Sequence, residues 1–322
     1  MLKSTRAGFG KAILELGKAN PNVVVVSADL PSSTKVSDFA KTYPNRFFEC
    51  GVAENNMMGV AAGLALEGKI PFVTSFAAFS PSINWAVIRQ SVCLPNLPVK
   101  IIGSHAGLLT GADGATHQAL EDLALTQVLP NMTVVVPADF DQAYQATLQA
   151  TQTSGPVYLR LTRPDTEQIS NFKFLISNQF QIGKCQILKH GKDLTLIACG
   201  PIIFEAIKAI ELASKGSDPI LRKTSIELIN CHTLKPLDKE TIINSAKKTK
   251  RVLTLEDHMV FGGLGAHIAI LLSQNYPVPM TIMGVKNRFG ESARKEEELI
   301  KKFGLDADSV VKNIKELLKK KV

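Results

Sequence analysis

The chain has 322 residues, of which 45% are hydrophobic and 20% charged. That suits a protein of about two domains with sizeable cores, and no apolar run approaches the ~18 residues that cross a bilayer. Thirty-seven basic residues against 29 acidic ones give a net charge of +8, which admits anionic partners without choosing among them. Five cysteines, Cys50, Cys93, Cys185, Cys199 and Cys231, are odd in number and never spaced C-x-x-C. They read as buried thiols, not as a disulfide framework or a zinc site.

The first residues, "MLKSTRAGFGKAILELG", lack the uncharged core of a signal peptide, so a cytoplasmic protein is expected. Short β-branched runs then alternate with helical patterns: "NVVVVSA", "RFFECG", "IPFVTSF", "VKIIGS", "MTVVVPA" and "GPVYLRL". Runs that are apolar on both faces and separated by helices predict a mainly parallel sheet covered on two sides. This first α/β domain is placed at 1–163. Polar residues and short strands over 164–192 read as a connecting segment. A second α/β domain, 193–322, resumes with "LTLIACG", "IELINCH", "RVLTLED" and "MTIMGV", with helices near 202–215 and 262–273. The "GGLG" at 262–265 reads as close packing of a helix on the sheet. The Lys-rich "KNIKELLKKKV" reads as the solvated last turns of a C-terminal helix.

Ligands in open α/β sheets gather at the carboxyl ends of strands. Those ends in the first domain are unusually polar: Asp29, Ser32 and Ser33, then Glu54, then Phe76 and Phe79, then His105, Asp113 and His117, then Arg163. Each has a plain explanation alone. Glu54 suits the positive end of its helix, Asp113 with Gly114 suits a turn, and Phe76 and Phe79 suit a core. Two histidines, several acids, an Arg and serines on neighbouring strand ends of one sheet are harder to explain that way. Together they suit a phosphorylated, hydroxyl-rich ligand.

The blocks "GVAENNMMGVAAGLALEGKIPFVTSFAAF", "GSHAGLLTGADGATHQALEDLAL" and "YLRLTRP" resemble the pyrimidine-binding domain of transketolase. "HTLKPLD", "TLEDHMVFGGLG" and "NRFGES" resemble that family's C-terminal domain, so the likeness runs nearly end to end. The resemblance implies that Glu54 is a buried carboxyl that shares a proton with the pyrimidine ring of thiamine diphosphate. Burial among Ala, Gly and Met favours the protonated acid this requires. It further implies that Phe76 and Phe79 hold the ring and that Asp29 lies near the cofactor. His117 would transfer a proton near the ketose oxygens, and Asp113 would bind a sugar hydroxyl. Arg6, Ser33, His105 and Arg163 would recognise sugar hydroxyls and the terminal phosphate.

The family's diphosphate-binding domain, with its G-D-G stretch and Mg²⁺ ligands, has no counterpart here; "GADG" at 111–114 belongs to the substrate segment. The resemblance therefore implies a partner, an N-terminal transketolase subunit that supplies this domain and Mg²⁺. A dimer of heterodimers acting on sugar phosphates is expected, with no nucleic acid or membrane partner. The sequence departs from the family at Asn55, where Gln is usual, and at Ile83 and Val87, where related split subunits show Arg and Gln. A deoxyxylulose-phosphate synthase-like half, a 2-oxo-acid dehydrogenase β-like subunit and a non-catalytic partner subunit remain as alternatives.

Overall fold

The computed structural model describes residues 2–172 and 179–321. The segment expected to connect the two domains includes 173–178, which lie outside the described residues. In the first half the strands are β1 (Lys3–Ser4), β2 (Val23–Ser27), β3 (Phe47–Glu49), β4 (Ile70–Phe76), β5 (Lys100–Ser104), β6 (Thr133–Val135) and β7 (Val157–Arg160). They are followed by β8 (Asp165–Thr166), β9 (Gln186–Lys189), β10 (Leu194–Ala198), β11 (Ile226–Asn230), β12 (Thr233–Lys235), β13 (Val252–Met259) and β14 (Met280–Val285).

Two mainly parallel sheets result, each covered by helices. The first has the order β12-β6-β7-β5-β4-β2-β3 and the second β14-β13-β10-β11-β9. β2, "VVVVS", is buried at every position because both faces are covered, which explains its unbroken apolar run. The two-residue period divides its load. Val23, Val25, Phe72, Ile102 and Leu159 face one core with the helices Thr5–Ala19 and Phe140–Gln152. Val26, Val73, Ile101 and Tyr158 face the opposite core with the helix Glu54–Leu66.

That second core does not stop at the first sheet, for it also takes in Ile197, Ile229, Leu264 and Ile268 from the other half. The halves are interlocked in a further way. β12, reached from the end of β11, crosses back and pairs antiparallel with β6, adding a covered edge to the first sheet. β9, inside the segment read from sequence as a connection, is an antiparallel edge strand of the second sheet. Among the described residues no helix is long and apolar enough to cross a membrane.

The first sheet reverses its direction of growth at β2, which lies between β3 and β4 and is parallel to both. The carboxyl ends beside such a reversal form a crevice, because the chain leaves them toward opposite faces. One side of this crevice is held by a buried polar network across the two halves. Arg160, at the end of β7, donates from Nε to Asp122 Oδ2 at 2.8 Å and from an Nη to the Asp257 carbonyl at 2.9 Å. Tyr158 donates its hydroxyl to the same Asp122 oxygen at 2.6 Å. Asp257 in turn accepts the Leu108 amide at 2.9 Å, fixing the start of the turn Leu108–Asp113. His258 accepts the Leu123 amide on Nε2 at 3.2 Å and donates from Nδ1 to the Met259 carbonyl at 2.7 Å, which defines its neutral tautomer.

Glu256, buried beside them, accepts the amides of Leu264 and Gly265 at 2.6 and 2.9 Å. A carboxylate of the chain itself thus takes the first turn of the helix Leu264–Asn275. A Cβ at Gly265 would lie 2.4 Å from Ile282 Cγ2, so the helix approaches β14 more closely than any larger residue allows.

Because Asp122 and Arg160 are almost wholly excluded from water, removing one partner strands the other's charge. Arg160→Ala is expected to destabilise the fold by about 3–5 kcal/mol. The joint replacement Asp122→Asn with Arg160→Met should cost less than that single change. Urea unfolding monitored by circular dichroism checks both, and a loss under about 1 kcal/mol for Arg160→Ala would remove the network from this role.

Candidate active site

Glu54 is the first residue of the helix Glu54–Leu66 and is only 6% exposed. Ser75 donates its hydroxyl to Glu54 Oε1 at 3.3 Å, and Oε2 has no hydrogen-bond partner among the described residues. Asn84 fixes the backbone here, donating from Nδ2 to the Glu54 carbonyl at 3.2 Å and to Ser80 Oγ at 3.1 Å. Neither Ser75 nor Asn84 was singled out from the sequence. Ser75 could have been found from the strand pattern, since it precedes the Phe76 that ends β4.

Phe76 and Phe79 stack with centroids 6.0 Å apart and planes inclined by 22°. The pairing of Phe76 with Ser104 across β4 and β5 brings the next residue, His105, onto the Phe76 ring at a centroid distance of 3.9 Å. His117 meets both aromatic rings edge-on, 6.0 Å from Phe76 and 5.4 Å from Phe79. Four residues predicted from three separate segments therefore form one aromatic cluster. His117 accepts from, or donates to, the Thr116 hydroxyl through Nδ1 at 2.9 Å.

The basic side of the crevice is built from Arg6, His105 and Arg163. Arg6 donates from one Nη to the Ser33 carbonyl at 2.8 Å and from the other to the Arg163 carbonyl at 2.6 Å. Ser33 thus contributes its backbone to Arg6. Among the described residues, Arg6 Nε is buried without a hydrogen-bond partner. Arg6 also approaches His105 Nε2 at 3.4 Å. Because a guanidinium only donates, Nε2 accepts and the ring proton lies on Nδ1, 2.9 Å from Ser104 Oγ. Arg163 donates to the Thr110 carbonyl at 3.0 Å and pairs with Asp113 at 3.6 Å, so Asp113 joins the group through an ion pair.

Electrostatics follow from this crowding. Burial lowers the His105 pKa to about 3, reinforced by Arg6, Arg163, His117 and Lys35, so the ring is neutral beside several cations. Burial, and then the neighbouring Arg163, also lower the Arg6 pKa. Lys35 was not picked out from the sequence; only the three-dimensional fold brings its charge toward His105. The backbone is left-handed at Asp29 (φ 59°), Lys35 (φ 65°) and His105 (φ 55°), a conformation that non-glycine residues seldom adopt outside sites where surrounding contacts enforce it. Asp29 stands apart from the cluster at the end of β2, where its amide donates to Glu49 Oε1 at 2.7 Å. Ile83 is exposed, and Trp85 donates from Nε1 to the Leu125 carbonyl at 2.8 Å. Four of the five cysteines are buried, and Cys50 is half-buried.

A carboxyl with one free oxygen, a stacked aromatic pair, two histidines and a cation cluster can hold a flat heterocycle at one end of the crevice and an anion at the other. The family model described as transketolase, pyrimidine binding domain, matches residues 2–168, and that described as transketolase, C-terminal domain, matches residues 183–310. A putative transketolase C-terminal section of Methanocaldococcus jannaschii is 42% identical, over 99% of this chain and 97% of that protein. The 6-deoxy-6-sulfo-D-fructose transketolase subunit SqwH of Clostridium sp. (strain MSTE9) is 38% identical, over 96% of this chain and 92% of that one. A solved split-gene transketolase, described as an inactive β4 tetramer, superposes with a TM-score of 0.87 at 43% identity, covering 98% of each chain.

The neutral His105 links the site to stability. Its folded pKa lies below the ordinary 6.5, so the unfolded chain binds the proton that the folded chain refuses. The stabilising contribution is complete above pH 6.5 and is lost as pH falls toward 3. Glu256, whose pKa burial raises to about 7, acts in the opposite direction, so a difference between proteins is the cleaner measure. Relative to His105→Gln, the wild type is expected to lose roughly 1.5 kcal/mol between pH 6.5 and pH 5. Urea unfolding at the two pH values tests this, and a pH-independent difference would mean that His105 titrates normally.

Proposed function

Because the chain belongs to the transketolase family, we propose that it is one subunit of a two-chain transketolase that transfers a two-carbon ketol unit from a ketose phosphate to an aldose phosphate. The observation that carries this reading is the pairing of Glu54, with its free Oε2, and the stacked rings of Phe76 and Phe79. That donor set fits the pyrimidine end of thiamine diphosphate: a carboxyl to face a ring nitrogen, and aromatic surface to bury the ring. When bound, the cofactor supplies the electron sink for carbon–carbon bond cleavage and formation.

The remaining work falls to this chain's side chains. Glu54 shares a proton with the ring nitrogen, and Ser75 orients its carboxyl. Phe76 and Phe79 hold the ring and exclude water. Asp29 lies toward the cofactor from the end of β2. His117, against both rings, moves a proton at the ketose oxygens, and Asp113 accepts a hydrogen bond from a sugar hydroxyl. Arg6 offers its unpartnered Nε, and Arg163 and His105 complete a grip on the terminal phosphate, with Ser33 holding Arg6 in place. Neutral His105 donates or accepts there without adding charge.

The diphosphate-binding domain and Mg²⁺ are assigned to a separate N-terminal subunit, and the assembly to a dimer of heterodimers. Exposed apolar residues at the rim support a covered face: Val52, two residues before Glu54, and Ile83, beside Asn84. The chain alone is expected to be inactive, in keeping with the relative described as an inactive β4 tetramer. Mixing it with its partner and assaying xylulose 5-phosphate plus ribose 5-phosphate tests the activity. Turnover only of pyruvate plus glyceraldehyde 3-phosphate would replace this reading with a synthase-like one.

Two substitutions test the assigned roles in the reconstituted enzyme. Glu54→Gln should keep the fold and lower kcat by about 10² or more, because an amide cannot share the proton. Near-normal turnover would remove Glu54 from proton sharing. Arg163→Ala should lower kcat/KM for ribose 5-phosphate by roughly 30- to 150-fold, the scale of about 2–3 kcal/mol for a charge-assisted contact, while leaving ribose nearly unaffected. Equal losses on both acceptors would give Arg163 a structural role instead.

A further inference from the structure

The C-terminal half carries a second concentration of cations, remote in sequence from Arg6 and Arg163. A cleft of about 420 Å³ between the edge strand β14 and the helix Ala307–Leu318 is lined by Lys286, Arg288, Lys302 and Lys312, with Ser309 and Asn313 among its polar groups. Four like charges around one depression repel each other, and an entering anion lowers that cost. Arg288 is already oriented for one. Its guanidinium carbon lies 3.9 Å from the centroid of Phe303, so the planar group is held by stacking.

Glu291 supplies the only counter-charge that pairs with these four among the described residues. It pairs with Arg288 at 3.0 Å and also with Lys302. Lys286 and Lys312 have no ion pair among the described residues. Glu291 is itself positioned from the other side. Its carbonyl accepts Gln118 Nε2 at 2.9 Å, and a Cβ on the preceding Gly290 would lie 1.7 Å from Gln118 Oε1. The carboxylate that pairs with Arg288 and Lys302 is therefore carried by a backbone seated tightly against the first half.

We propose that this cleft is a binding site for a small phosphorylated anion, and that the Glu291 carboxylate is the internal anion such a ligand displaces from Arg288 and Lys302. A diphosphate suits four cations better than a monophosphate does, since it can meet the Arg288–Lys302 pair and the unpaired Lys286 and Lys312 together. The site does not depend on the catalytic reading, because none of these residues belongs to the crevice around Glu54.

Calorimetric titration of the full chain with inorganic pyrophosphate, at ionic strength held constant with sodium chloride, tests it. Wild type is expected to bind, with orthophosphate weaker. Lys286→Ala combined with Lys312→Ala should weaken binding about tenfold or more, and Glu291→Gln should tighten it about threefold or more. Arg163→Ala, which disturbs the other cation cluster, should leave it unchanged. Absence of binding in both wild type and Glu291→Gln overturns the proposal. So does binding lost in Arg163→Ala but kept in the lysine double variant, which would put the anion in the crevice. Equal weak binding in every variant would reduce the effect to the chain's overall positive field and also overturn it.

Discussion

Arg160 is the group through which the two halves act as one body. Among the described residues its guanidinium is the only cation in a junction that also buries Asp122, Asp257, Glu256 and His258, and it bonds to residues of both halves. Burial raises the pKa of Asp257, and Arg160 is the first force that opposes this. Held there, Asp257 takes the amides of Leu108 and Leu109 and sets the start of the segment that carries Asp113 and His117. A second-half carboxylate thereby determines where first-half site residues stand. Apolar packing alone would leave that angle loosely defined, whereas directional bonds to charged groups in a dry environment do not.

The crevice uses the same physics in reverse. At the junction Arg160 pairs directly with Asp122, and Asp257 and Glu256 are met by backbone amides. Around His105 the cations Arg6, Arg163 and Lys35 crowd together, and burial plus these three keep the imidazole neutral. Arg163 finds Asp113, while Arg6 retains an unpartnered Nε. An unbalanced group of this kind is a poor device for stability and a good one for recognising an anion, because the repulsion is built in before the ligand arrives. The left-handed backbone at Lys35 and His105 is part of the same arrangement, with local cost absorbed by the surrounding contacts.

Several parts of this were legible in the residues. The all-apolar "VVVV" of β2 announced a sheet covered on both faces, and the polar residues that follow each strand marked the end at which the crevice opens. Strand register then brought Phe76, Phe79, His105 and His117 together from separate segments, as expected of residues at the same end of neighbouring parallel strands. Other parts were not legible. Ser33 meets Arg6 through its carbonyl, which every residue has, so no side-chain pattern could reveal that contact. Asn84 and Ser75 hold Glu54 from positions 30 and 21 residues away, with no spacing rule to connect them. The connecting segment contributed β9 to the second sheet, and β12 crossed to the first, because edge strands pair with whichever open edge the packing of the larger elements leaves beside them.

The sequence by itself determined the elements and their polarity. Periodicity of two or of 3.6 residues follows from backbone geometry, and a polar residue after a buried strand must emerge at its end. It also determined family membership, since separated blocks retain residue types that chemistry and packing both require. Only the tertiary structure decided the charges. The pKa of His105 depends on Arg6, Arg163 and Lys35, which lie 99, 58 and 70 positions away along the chain, and on the water that the fold removes. Only the fold showed that Glu256 takes the helix start at Leu264 and that Glu291 pairs with two of the four cations lining a cleft. Coulomb energies vary with distance and local dielectric, and neither is a property of a residue's place in a string.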